Sequence, residues 1–183
     1  MSDRARSLLL GVACALALLA LVVAGRSWGE HAVAGDPSAG RVTHVADGDT
    51  FRVALPGGDE TVRVIGVDTP EIAHDDRPAG CFGPEAAAWA RGRLEGRTVR
   101  IERGVEPVDR FGRTLAQVTV ADGPLAGQDL AGSLAAAGLA RTLPIEPNTR
   151  DAAALARVVA GARRARLGLW GACGFAAAFP GGD

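Results

Sequence analysis

Lysine and tyrosine are absent from the sequence, so all 20 basic side chains are arginine, and aromatic residues make up only 4%. Neither sign of charge dominates, and the formal net charge is -1. That balance excludes a protein that grips a polyanion by bulk positive charge; any phosphate contact has to come from arginines placed locally or from a metal ion. Internal repeats and low-complexity tracts are missing too. With 183 residues the chain is too short for two ordinary domains, and 48% apolar against 22% charged residues leaves no room for a long disordered tail. One globular domain with a short extra segment, and one active site, is the expectation.

Charge also vanishes between Ser7 and Gly25, a run flanked by Arg4 and Arg6 before it and Arg26 after it. Its length is near the ~17 to 25 residues that span a bilayer, so residues 1–25 read as a signal peptide or a retained membrane anchor. Val22-Val23-Ala24 and Ala32-Val33-Ala34 could each precede a cleavage site. The leading positive flank favours export of everything that follows. Cys14 lies in the apolar run, leaving Cys81 and Cys173. In an oxidising compartment they form a candidate disulfide joining the loop near residue 81 to the C-terminal end; two unpaired thiols are the alternative.

Residues 26–40, rich in Gly, Ala and Ser, read as a linker, with the ordered part beginning at Arg41. A strand ends around His44 to Ala46. From Thr50 to Leu55, Phe51, Val53 and Leu55 alternate with Thr50, Arg52 and Ala54, and Pro56-Gly57-Gly58-Asp59 turns the chain into a strand over Thr61 to Val67. Asp68 to Phe82 is a polar loop containing Pro70, Pro78 and Gly80. Pro84 opens a helix whose apolar face carries Ala86, Trp89, Ala90 and Leu94, and Gly96 stops it. Strands over Thr98 to Glu102 and Thr114 to Val120 follow, then a helix through Leu130, Leu134 and Ala137. A third helix spans about Thr149 to Leu167, with Leu155, Val158, Val159 and Ala162 inward. Five short strands and three helices predict an α+β domain, a small closed or partly open barrel with helices packed on it.

Two acidic clusters stand at strand ends: Asp47-Gly48-Asp49-Thr50 and Asp68-Thr69-Pro70-Glu71. Each alone is an ordinary turn sequence. If the strands are neighbours, Asp49 and Asp68 approach each other, and two close carboxylates repel unless a proton or a cation lies between them. Oxygen donors without His or Cys favour calcium or magnesium over zinc or copper, and an irregular loop suits calcium better. Asp49 and Asp68 are the candidate direct ligands. Arg63, on the strand feeding Asp68, is by itself either a snorkelling surface residue or an anion binder. Arg113, at the end of Asp109-Arg110-Phe111-Gly112-Arg113, offers a second guanidinium; two such forks can grip one phosphate.

Together the motifs spell a family. Val45 to Phe51, Val62 to Glu71, Phe82-Gly83-Pro84-Glu85-Ala86, Asp109 to Arg113, Gly138-Leu139-Ala140 and Leu167-Gly168-Leu169-Trp170 resemble the staphylococcal nuclease family in order and spacing over about 130 residues. The resemblance implies a five-stranded OB-fold barrel with three helices over residues 41–173, a tail over 174–183, calcium as cofactor, and hydrolysis of DNA and RNA to products ending in a 3′-phosphate. It makes Asp49, Asp68 and the Thr69 carbonyl calcium ligands, Glu71 the general base, Arg63 and Arg113 the phosphate binders, and Arg110 and Phe111 substrate contacts. The family's best-known member uses tyrosines near the base and the 3′ phosphate. Here Phe111 replaces one, while Pro144 and Glu146 occupy the region of two others. Phe111 stacks but donates no hydrogen bond, so weaker nucleotide affinity is expected. His44 and His74 are assigned to the surface. The expected molecule is a monomer acting on single-stranded nucleic acid, secreted or attached to the outer face of the membrane. A non-catalytic OB-fold module that binds single strands is the alternative, and a structural cell-surface domain a weaker one.

Overall fold

The computed structural model describes residues 38–73 and 77–180. The signal or anchor segment 1–25, the linker up to residue 37, the two cleavage-site candidates and His74 lie outside the described residues. Among the described residues, no helix is long and apolar enough to cross a membrane.

Strands β1 (Ala39–Val45), β2 (Thr50–Leu55) and β3 (Gly58–Val64) form an antiparallel meander. After β4 (Gly66–Asp68) come helix α1 (Gly83–Leu94) and strands β5 (Thr98–Val108) and β6 (Thr114–Val120). The barrel closes in the order β1-β2-β3-β6-β5, with β5 back against β1 and the β3–β6 pair parallel. Its interior is filled by inward residues such as Val42, Phe51, Val53, Val62, Val99 and Val118, all at most 2% exposed. Helix α1 closes it with Ala86, Ala90 and Leu94. Helices α2 (Leu130–Ala136) and α3 (Ala152–Arg164) pack together beside β6 and a three-residue strand β7 (Arg141–Leu143). Two helical turns, α4 (Leu169–Ala172) and α5 (Phe175–Ala178), finish the described chain.

Five expectations need correction. Strand β1 starts at Ala39, inside the assigned linker, because Ala39 and Gly40 pair with β5 through backbone alone, which no side-chain pattern reveals. The strand expected over Thr61 to Val67 starts earlier, at Gly58, and is two: Gly66, at φ 85, turns the chain out of the barrel, so β4 leaves to pair with β7. Strand β5 runs on to Val108, through exposed residues that carry no alternation. On α3, Leu155, Val159 and Ala162 are buried, but Val158 is 37% exposed. The segment assigned as a tail buries Ala178 and Phe179 against Leu169, beside the Cys81–Cys173 disulfide.

Candidate active site

The first acidic cluster is a turn that aims one carboxylate inward. Asp47 Oδ1 accepts the N–H groups of Asp49 (3.0 Å) and Thr50 (2.7 Å), so Asp47 shapes the turn. Asp49, 3% exposed, then points beneath the second cluster, where its Oδ2 accepts the Thr69 N–H (2.7 Å) and hydroxyl (3.1 Å). Thr50 donates its hydroxyl to Asp49 Oδ1 (3.1 Å) and is itself buried, although it alternates to the outer face of β2. The site covers that end of the strand.

Arg63 is no surface residue. Its guanidinium lies between the two acids, with Nη1 3.0 Å from Asp49 Oδ2 and Nη2 2.8 Å from Asp68 Oδ1. Nη1 also donates to the Val64 and Val67 carbonyls, at 3.1 and 2.9 Å. The kink at Gly66 folds β4 back far enough for one arginine to reach both ends of this bend. Asp68 is held from the other side by Arg141, whose Nε lies 2.9 Å from Oδ2. Sequence reasoning missed Arg141. It is the cross-strand partner of Asp68 in the β4–β7 pair, and its one sequence signal is its place directly after Gly138-Leu139-Ala140.

Burial governs the electrostatics. It pushes the Asp49 carboxyl up to about 7, outweighing the Arg63 guanidinium, and the neighbouring Asp47 and Asp68 add to the rise. Asp47 is raised by burial as well, with the charge of Glu71 contributing.

Two cavities flank it. The first, about 470 Å³, is lined by Arg63, Arg110, Phe111 and Arg113, with Leu115, Leu143 and Ile145 among its apolar walls. Arg113 precedes Thr114, which faces Val62 across the parallel β3–β6 pair, so Arg63 and Arg113 come to one opening. Asp109 fixes Arg113 through an Nε contact of 2.7 Å. Burial alone would raise Asp109, but hydrogen bonds from the Arg113 and Phe111 N–H groups and the Arg113 side chain hold its carboxyl below the usual range. Phe111 is 68% exposed, with Arg110 and Arg113 over its ring at 4.7 and 5.3 Å. The second cavity, about 310 Å³, is lined by Asp68, Thr69, Glu71, Arg77, Arg141 and Phe179 among others. Glu71 thus stands with Asp68 and Thr69, while Arg113 and Phe111 stand with Arg63. The Arg63–Asp68 ion pair joins the two groups.

A family model described as staphylococcal nuclease homologue matches residues 61–172. The chain belongs to the staphylococcal nuclease family. The thermonuclease of Staphylococcus intermedius is 36% identical over 129 residues, covering 70% of this chain and 74% of that protein. The thermonuclease of Staphylococcus hyicus is 33% identical over 131 residues, or 71% and 74%. The probable endonuclease lcl3 of Aspergillus niger is 41% identical over a shorter stretch of 105 residues, 44% of this chain and 38% of that protein. Against this nuclease frame, the donor set fits a hard cation. Its atoms are oxygens, and burial pushes the Asp49 carboxyl up to about 7, a rise that a divalent ion bound beside it would oppose. Among the described residues no group of three or more Asp, Glu, His or Cys side chains clusters to hold a metal. Two carboxylates and a carbonyl would therefore leave most of the coordination shell to water and phosphate.

Proposed function

We propose that this nuclease, a phosphodiester-hydrolysing enzyme by family membership, cuts DNA and RNA with calcium as its cofactor and leaves products ending in a 3′-phosphate. The observation that carries the reading is the convergence of Asp49 and Asp68 on Arg63 beside an opening that Arg113 shares. Asp49, Asp68 and the Thr69 carbonyl would hold the ion. Bound there, calcium would polarise a phosphate oxygen and offset the charge that builds up as water adds.

The chain's own residues supply the rest. Arg63 and Arg113 neutralise the other phosphate oxygens and hold the diester for in-line attack. The exposed Glu71, beside Asp68 and Thr69, orients the attacking water and accepts its proton. Phe111 offers a stacking face to a base. Single strands suit this geometry because their bases are free to stack. The disulfide supports export, since such bonds persist in oxidising compartments. We extend the reading to a monomer, secreted or tethered outside the membrane through residues 1–25.

Cleavage of single-stranded DNA by the purified chain should require calcium and stop in chelator. Arg63→Ala should lower the rate on the order of 10² or more, by analogy with removing one charge-stabilising donor, and Glu71→Gln should also be slow. Cleavage that persists in chelator sinks the calcium assignment. Tight binding with no cleavage would favour the binding-module alternative.

A further inference from the structure

The second cavity shares no lining residue with the first, and the nuclease chemistry above uses only its Asp68, Thr69 and Glu71. Its remaining polar furniture is cationic. Arg77 is exposed at its edge. Arg141 lies with its guanidinium 4.4 Å over the Phe179 ring and its Nε on Asp68. The Phe179 ring and Asp68 hold the guanidinium from two sides. Its two Nη groups make no hydrogen bond with the described residues. Asp68, the nearest carboxylate, is neutralised by Arg63 on one oxygen and Arg141 on the other.

The wall behind this arrangement is outside the family match. Ala178, Phe179 and Pro180 lie beyond residues 61–172. The Cys81–Cys173 bond and a hydrogen bond from the Cys81 N–H to the Ala177 carbonyl (2.7 Å) pin this wall to the loop that carries Glu71. A strand whose scissile phosphate sits between Arg63 and Arg113 must leave the site in two directions. One leads into the Phe111 cavity; the second cavity opens beside the same carboxylates on the other side of the Arg63–Asp68 pair. Two planar forks at one opening match the oxygens of a phosphodiester.

We propose that the second cavity is a subsite for the next phosphodiester of the strand, contacted by Arg77 and by the Nη edge of Arg141. The inference rests on the nuclease reading of the neighbouring site.

The test compares the full chain with its Arg77→Ala variant, because Arg141 also holds Asp68. Single-stranded DNA is made with one cleavable diester, the flanking linkages being charged phosphorothioates or, one at a time, neutral methylphosphonates. On the fully charged strand the variant should lose roughly tenfold in kcat/KM, mainly through KM. Neutralising one particular flanking linkage should abolish the difference between the two proteins. In chelator, where only binding is read, the slope of log K against log salt should fall by about 0.7 in the variant. An equal loss on every strand with an unchanged salt slope overturns the subsite. If the unaltered chain cuts none of the strands in calcium, the nuclease reading fails instead, and the salt slope alone decides the subsite.

Discussion

Asp49 shows how a single residue can record the charge state of a whole site. Its carboxyl titrates at about 7 in the folded chain against an ordinary value of 3.8. Between those limits the folded state binds more protons than the unfolded one, so stability falls as pH rises from about 4 to 7 and levels off above. In chelator, therefore, Asp49→Asn should gain on the unaltered chain steadily over this window. Urea midpoints measured at each pH check it, and a flat difference would mean that the carboxylate is compensated some other way. Asp49 and Asp68 were legible in the sequence because each sits in a turn motif at a strand end. The burial of Arg63 was not, since an arginine between aliphatic neighbours reads equally well as a snorkelling side chain. Arg141 was illegible for a stronger reason: it meets Asp68 from 73 residues away.

At the scale of elements, the loop carrying Glu71 takes its shape from the start of α1. A Cβ placed on Gly83 would come within 2.1 Å of the Glu71 carbonyl oxygen and 3.1 Å of the Pro70 carbonyl. Both are backbone atoms, so they cannot turn aside as a flexible side chain would. Gly83→Ala should displace Glu71 while leaving the barrel intact, costing about 1 to 3 kcal/mol of stability and on the order of 10² in rate. Steady-state kinetics beside a denaturation curve would separate the two effects. A rate loss no larger than the stability loss explains would place Glu71 outside the chemistry. The β4–β7 pair, which brings Arg141 to Asp68, escaped sequence reading because three-residue strands are too short to display a period. The bounds of the barrel strands β2 and β6 were readable to the residue.

Over the whole molecule, the Cys81–Cys173 bond closes a loop with a sequence separation of 92 residues, which in the chain-entropy account is worth about 4 to 5 kcal/mol. The double Cys81→Ser, Cys173→Ser variant should unfold at lower urea by the equivalent of about 2 to 5 kcal/mol with its barrel retained. Midpoint and slope from the same curves check this, and an unchanged midpoint would mean that the contacts of Leu169, Ala178 and Phe179 hold the C-terminal segment unaided. By itself the sequence determined the order of the five barrel strands and three longer helices, the acidic turns and the family, but not the ends of β1, β3 and β5, because periodicity and turn chemistry are local and the family's motifs keep their order along the chain. Only the tertiary structure decided that Arg63 bridges two carboxylates, that Arg141 braces one of them and that a second cavity opens beside Glu71. Each of these depends on distances between residues far apart in sequence. A chain's pattern constrains which face a side chain takes, but closing the barrel determines what that face meets.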